Sequence, residues 1–374
     1  MRPWGLRILV AVESAGAQWR YGLELARGLA RLGHEIVLAA IGPRLTDEQR
    51  GAAAKVAGLR LIETGLAPEG LPGDEPSLRR IAETLAGIAI EQSADIVQLN
   101  AASLVSLADF GAPVVAVHHG CAATRWQALH ASPPPAEVAR RVELVRIGLH
   151  TADIVVAPTS AFASTLHRSY GLAELPRAVH HGRSPLAAPS GMPHDFVFTA
   201  GRLWDEGENF AALDSAAGRI DVPITAAGPL TGPKGSQIVF DSLHCLGAVG
   251  EQEVARWLSA RPVFVSAALY EPSGMTVLDA AAAGCALVLS DIPAFRELWE
   301  EVAVFVDPSD ESGFTRAIAA LVADDFERAV LGRAARERAS RYTPDAMAAQ
   351  MASIYRSLLP AIRRPVLAAA REAA

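Results

Sequence analysis

The sequence predicts an α/β chain of two domains, each built on a parallel sheet. Three observations point there. Short apolar runs alternate with helix-length segments through two successive series. The chain has 374 residues, more than one ordinary core organises, and its 51% apolar and 20% charged residues make a globular composition. Between the two series, SPLAAPSGMPHD at 184–195 is rich in Pro, Gly and Ala and reads as a linker.

In the first series, Arg7–Val12 reads as a strand and Gln18–Leu32 as a helix. That helix carries Trp19, Leu23, Ala26 and Ala30 on one face and is closed by Gly33. Glu35–Ala40 completes a βαβ unit, which implies parallel pairing and a right-handed crossover. Leu59–Glu63 is a strand, Pro76–Gln92 a helix, and Asp95–Leu99 and Pro113–His118 are strands. Pro133–Pro135 is a stiff break before a helix over Ala136–His150. Asp153–Ala157 is a strand, Ser160 caps a helix ending near Gly171, and Arg177–His180 is the last strand of this half.

The second series has strands at Phe196–Thr199, Val222–Ala226, Pro262–Val265, Ala286–Leu289 and Ala303–Val306. Its helices fall at Phe210–Ala217, Glu251–Ser259, Gly274–Ala283, Ala294–Glu300 and Glu311–Ala323. The tail from Phe326 to Ala374 is helical in composition, with breaks at Pro344 and Pro360. The expected division is 1–183, a linker at 184–195, and 196–354.

Composition also excludes functions. A net charge of −7 argues against nucleic acid, whose binders carry a basic stripe. Cys121, Cys245 and Cys285 lack metal-like spacing, and so sparse and odd a set fits a reducing cytoplasm. The opening MRPWGLRILVAVES has too short an apolar run for a signal peptide, and no run reaches membrane-spanning length. Arg140, Arg141 and Arg146 leave peripheral contact with the inner membrane face open, although a solvated basic face is the commoner meaning of such a pattern. The first strand–helix turn lacks GxGxxG and no acid ends the second strand, so a dinucleotide site is poorly supported.

The most informative stretch is Tyr270–Leu298. Met275–Ala283 is apolar or small almost all round, which marks a helix buried on every side, and Gly284 suits its left-handed cap. Glu271 precedes this helix and Asp279 lies inside it, where a carboxylate needs a partner. The amides of Gly274, Met275 and Thr276 open the helix and make an anion site.

These residues, EPSGMTVLDAAAAG, resemble the signature of the retaining glycosyltransferase family 4 enzymes, and the resemblance is collinear over most of the chain. That family usually reads EPFG, four residues, then EA; here Asp279 replaces the second glutamate. The resemblance implies a GT-B fold: two Rossmann-like domains facing a cleft, with a C-terminal helix crossing back to the N-terminal domain, here part of Asp345–Leu359 or the segment after it, about 355–374. It implies that Glu271 contacts the donor sugar, that Asp279 holds the nucleotide ribose, and that the helix amides meet the diphosphate.

FTAGRLWDEGENF resembles the family's GRL motif, in which an arginine and a following lysine grip the diphosphate. Gly201 and Arg202 match, and Arg202 suits bidentate phosphate binding. The lysine is replaced by Glu208, an anion whose presence near two phosphates is unfavourable. Either Glu208 faces solvent, Lys234 substitutes, or the donor binds weakly.

VHHGC aligns with AHSC of the resembling sub-group, which makes His118 the family histidine and puts His119 in place of serine. The acceptor side is assigned to His118, His119 and Trp19. The family's GGV turn becomes Gly16-Ala17-Gln18, followed by Trp19 and Arg20. Arg20 is either an added cation near the phosphates or an ordinary helix-surface residue, the commoner case. The base is expected against Gly228 and between Leu246 and Val249.

The implied function is metal-independent, retaining transfer of a hexosyl-type group from a UDP- or GDP-sugar to a hydroxyl of a glycan, lipid or small molecule. No cofactor is expected and no DxD pair is present. A degenerate, non-catalytic ligand-binding or partner protein is the alternative, because four departures cluster at the cleft. An epimerase or phosphorylase on the same fold also stays open.

Overall fold

The computed structural model describes residues 5–66, 75–186, 196–232 and 235–359. The first half is a seven-stranded parallel sheet with helices on both faces. Its elements are β1 (Arg7–Glu13), α1 (Gly16–Arg31), β2 (Glu35–Ile41), α2 (Asp47–Ala54), β3 (Leu59–Glu63), α3 (Glu75–Glu91), β4 (Ile96–Leu99), β5 (Val114–Val117), α4 (Ala122–Leu129), α5 (Ala136–Thr151), β6 (Ile154–Ala157), α6 (Ser160–Tyr170) and β7 (Arg177–Ala178). The strand order is β3-β2-β1-β4-β5-β6-β7. Ile8 to Val12 are all buried, as a parallel strand covered on both faces requires.

The second half repeats the plan. It contains β8 (Val197–Ala200), α7 (Phe210–Ala217), β9 (Ile224–Ala227), β10 (His244–Gly247), α8 (Glu251–Ser259), β11 (Val263–Ser266), α9 (Met275–Ala283), β12 (Ala286–Ser290), α10 (Pro293–Trp299), β13 (Val304–Val306), α11 (Glu311–Ala323) and α12 (Asp325–Ala339). Its order is β10-β9-β8-β11-β12-β13, again parallel.

Both sheets reverse direction beside their first strand. In the first, the chain runs out through β2 and β3, then returns to place β4 on the other side of β1. In the second, β11 lands beside β8 in the same way. Such reversals open a crevice at the carboxyl ends of the paired strands, because the two connecting loops leave in opposite directions. The site is built on these two crevices.

The last helix, α13 (Pro344–Ser357), crosses to the first half. Met347, Met351 and Tyr355 are buried in the core formed with α1, β1 and β2. Gly28 of α1 lets it approach, since a Cβ there would stand 2.5 Å from the Ala348 methyl. The crossing falls within the expected Asp345–Leu359 stretch and begins well before 355, because the helix starts at Pro344. Residues 360–374 and residues 187–195 of the expected linker lie outside the described residues.

Five elements are additional to expectation. Helix α2, helix α4, strand β10 and the 3₁₀ turns at Ala102–Leu107 and Glu206–Glu208 have no counterpart in the sequence reading. The α6 cap is Thr159, not Ser160: its hydroxyl accepts from the Phe162 amide at 3.1 Å. The amide of Ser160 instead donates to Glu297 of the second half.

Candidate active site

The second half supplies a charged rim. Strand β8 leads into Gly201 and Arg202, and its neighbour β11 leads through Tyr270 into Glu271. The Arg202 side chain is 58% exposed. Its Nε lies 3.0 Å from Asp205 Oδ2, and Nη2 lies 3.5 Å from Glu208 Oε1. Asp205 also pairs with Arg125 of α4, which ties this rim to the first half.

Glu208 does not face solvent. Its side chain is 17% exposed, and its carboxyl lies 3.0 Å from where a Gly201 Cβ would be. Burial, and then the Glu271 charge, push its pKa up to about 7 against the opposing pull of Arg202. The floor beneath is backbone on backbone. A Cβ on Gly228 would meet the Gly201 carbonyl oxygen at 1.7 Å, and Gly228 has φ +149°, so this turn takes only glycine.

Glu271 is held by the turn it opens. Its Oε1 accepts from the Ser273 amide at 2.7 Å, the Ser273 hydroxyl at 2.9 Å and the Gly274 amide at 2.9 Å. Of the three amides expected to form an anion site, that of Gly274 is therefore already used. Those of Met275 and Thr276 lie in the first turn of α9, whose N-cap, Gly274, has no side chain to cap them. Gly284, at φ +88°, closes the helix in the expected left-handed cap.

Asp279 is buried on α9 and has found cationic partners. Its Oδ1 lies 2.8 Å from Arg183 Nε, and each side chain is 5% exposed. Arg20 Nη1 lies 3.8 Å from Oδ2. Burial raises the Asp279 pKa to about 6, with Arg183 and then Arg20 opposing. Glu251 joins the cluster, 2.8 Å from Arg183 and 3.2 Å from Arg20. Arg20 is thus neither an isolated surface residue nor placed beside Arg202; it crosses from α1 to the acid assigned to the ribose. Arg183 carries no motif and was not foreseen.

The first half supplies a hollow rim. A cavity of about 150 Å³ lies beyond the carboxyl ends of β1, β4 and β5, between their loops and α5. Glu13, Gln18, Asn100, His118, Cys121 and Arg141 are among its walls. His118 is 5% exposed, and its Nε2 has no hydrogen-bond partner among the described residues. Burial raises the Glu13 carboxyl, partly offset by Arg141.

His119 points elsewhere. Its Nδ1 lies 3.0 Å from His181 Nε2 and its Nε2 lies 3.1 Å from Asn100 Oδ1. Gln98 continues this chain, donating to Asn100 and accepting from the Tyr355 hydroxyl of α13. Burial, then the neighbouring histidines, hold His119 well below the ordinary imidazole range. Trp19 requires a correction: it is 5% exposed and packed in the α1 core, because the face it shares with Leu23 and Ala26 is the face α1 buries. It is not free to meet an acceptor. Gly16 is the first residue of α1, so the helix takes in Gly16 and Ala17, which were expected in the loop before Gln18.

The two rims touch. The Tyr270 hydroxyl lies 2.8 Å from Thr124 Oγ1 and accepts from the Cys121 amide at 3.2 Å. Thr159 donates to the Pro272 carbonyl at 3.1 Å. Glu297 of α10 accepts from the Ser160 and Ala161 amides, both at 2.8 Å, and so binds the start of α6. Leu246 and Val249 pack at the edge of the second core, near β10. Lys234 lies outside the described residues. Among the described residues, no three His, Cys, Asp or Glu side chains are grouped to hold a metal ion, and no helix is long and apolar enough to cross a membrane.

Two facing Rossmann-like halves, with a charged loop rim opposite a hollow one, define a GT-B architecture. Comparison with known proteins agrees. Residues 18–184 match the family described as Glycosyltransferase Family 4, and residues 194–324 match Glycosyl transferases group 1. The chain belongs to the group 1 glycosyltransferases of family 4. It is similar to the D-inositol 3-phosphate glycosyltransferases of Streptomyces avermitilis (26% identity, 69% of this chain) and Streptomyces scabiei (25%, 68%). The matches span 63% and 65% of those relatives' own lengths. Among solved structures, sucrose-phosphate synthase from Thermosynechococcus elongatus superposes with TM-score 0.77 at 20% identity, covering 94% of this chain and 99% of that one. The Anabaena protein HepE, solved in complex with UDP-glucose, gives 0.72 at 15% identity, covering 94% and 100%. At such identities the superpositions establish the fold alone.

Proposed function

We propose that the protein transfers a sugar, with retention, from a UDP- or GDP-sugar to a hydroxyl acceptor. One observation carries this reading. Arg202 and Glu271 leave the carboxyl ends of neighbouring strands at the reversal of the second sheet, opposite His118 at the corresponding end of the first. A cation and a fixed carboxylate so placed suit a diphosphate and a sugar hydroxyl on the same donor.

In this scheme Arg202 exchanges Asp205 and Glu208 for the leaving diphosphate, and the free amides of α9 share its charge. Glu271, oriented by the Ser273 and Gly274 amides, accepts from the donor sugar. Asp279 takes the ribose hydroxyls when Arg20 withdraws; Arg183 stays and keeps the acid ionised. His118 holds the sugar from the opposite rim, and the cavity beside it receives the acceptor. The donor oxygen leaves and the acceptor oxygen arrives on the same face, without a covalent protein intermediate. Protein cations and dipoles, rather than a metal, neutralise the phosphates. The UDP-glucose complex of HepE, a neighbour in fold, supports a UDP donor.

The non-catalytic alternative is not favoured, because Arg202, Glu271 and His118 all remain at the cleft. The test is incubation with UDP-glucose, UDP-N-acetylglucosamine and GDP-mannose, with nucleotide release followed by chromatography. Release from at least one donor, lost in Glu271→Gln, is expected. No release from any donor by folded protein, with and without sugar acceptors, contradicts the reading.

A further inference from the structure

We propose that Cys121 is a site of covalent modification: a thiolate, fixed in the wall of the first-half cavity, that captures small alkylating electrophiles. The argument rests on the donors around its sulfur. Cys121 is the N-cap of α4, so Sγ sits at the positive end of a helix and accepts from the Thr124 amide at 3.4 Å. The Tyr170 hydroxyl of α6 donates to it at 3.1 Å, and Thr124 Oγ1 lies 3.2 Å away. A neutral thiol rewards so many donors poorly; a thiolate rewards all of them.

A second, separate observation points into the same space. The buried His118 lines the cavity, and its Nε2 has no partner among the described residues. The group is thus a sulfur and an imidazole in the wall of one hollow, and Cys121 itself is only partly buried. Burial pushes the Cys121 thiol up, but His118, Thr124 and Tyr170 outweigh it and bring its pKa down to about 6. The other charged groups in the cavity wall are Glu13 from β1 and Arg141 from α5, and the Tyr270 hydroxyl from the second half accepts from the Cys121 amide.

In the reaction, the sulfur lone pair forms an S–C bond and the electrophile's leaving group departs with its bonding pair. The adduct stands in the cavity. It also abuts the loop whose amide donates to Tyr270, the residue preceding Glu271. The other two cysteines serve as internal controls. Cys245 is raised by burial and by Asp214, and Cys285 is fully buried and raised further.

The test is pulse labelling of the folded full chain with iodoacetamide between pH 4.5 and 9.5, read by peptide mass spectrometry. Cys121 labelling is expected to rise with a midpoint near pH 6, while Cys245 labels only in the alkaline range and Cys285 stays unlabelled. Tyr170→Phe should move the Cys121 midpoint upward by about one pH unit. A Cys121 midpoint near that of an ordinary thiol overturns the proposal, and so does a folded protein in which Cys121 stays unlabelled throughout. A Tyr170→Phe midpoint that does not move overturns the convergent-donor argument. The readout needs no sugar transfer, so it stands or falls separately from the transferase reading.

Discussion

The two rims of the cleft are built alike and kept differently. Each lies at the carboxyl ends of a parallel sheet where strand order reverses. On the second-half rim almost every charge is matched within the chain: Arg202 by Asp205 and Glu208, Glu271 by two amides and a hydroxyl, Asp279 by Arg183 and Arg20. On the first-half rim the polar groups surround a hollow, and the His118 Nε2 has no partner among the described residues. The difference teaches that an anionic guest must enter by exchange on one side and by simple filling on the other. Exchange costs little where the internal partner is exposed or neutral, and much where it is buried.

The buried end of that comparison gives the largest expected effect. Among the described residues, Arg183→Ala leaves Asp279 and Glu251 with Arg20 as their one cationic partner, in a site where the Asp279 side chain is 5% exposed. Removing one partner of a buried pair should lower stability by about 3 kcal/mol, measured by urea denaturation. A loss below 1 kcal/mol would place the cluster among ordinary surface ion pairs and erase the contrast.

Glu208 sharpens it next. Its carboxyl keeps a proton up to about pH 7, whereas a free glutamate loses it near 4.5. Below pH 7 the group beside Arg202 is neutral; above, it is an anion competing with the diphosphate. UDP affinity is therefore expected to fall as pH rises from 6 to 8, by roughly tenfold, about 1.4 kcal/mol. Glu208→Gln should flatten the profile over that window. Parallel profiles for the two proteins would mean that Glu208 stays clear of the phosphates.

The smallest effect belongs to the first-half rim. Tyr355→Phe removes the hydroxyl that begins the chain through Gln98 and Asn100 to His119. The expected loss is about 1 kcal/mol in thermal or chemical unfolding, with UDP affinity unchanged. A change in UDP affinity would show that the His119 chain reaches the donor side.

Much of this was legible in the sequence. Leu59–Glu63, Phe210–Ala217, Glu251–Ser259 and Glu311–Ala323 were read with their observed bounds, because each is a clean period between strong breaks. Helix α2 was missed because Gly51 and its short, polar first turn weaken the helical pattern, and α4 because its eight residues run straight into a proline-rich break. Strand β10 carries an exposed His244 at a sheet edge and shows neither alternation nor an apolar run.

At the site, the family motifs single out Arg202, Glu271 and Asp279; Arg202 and Glu271 follow the carboxyl ends of β8 and β11, and Asp279 lies buried inside α9 against Arg183. What they could not identify were partners distant in the chain. Arg183 stands 96 residues from Asp279, the Cys121 amide meets Tyr270 across 149, and no local pattern marks either pairing. Trp19 shows the opposite error: a residue beside a promising turn was given to the acceptor although the helical period that includes Leu23 already assigned it to the core.

The account rests on a nucleotide diphosphate meeting Arg202 at the rim of the second half. Calorimetric titration of UDP into the wild-type chain and into Arg202→Ala at pH 6.5 measures this directly. Micromolar binding by the wild type, weakened at least tenfold in the variant, is the predicted result. Absence of binding to folded wild-type protein, or an affinity indifferent to Arg202, would contradict it.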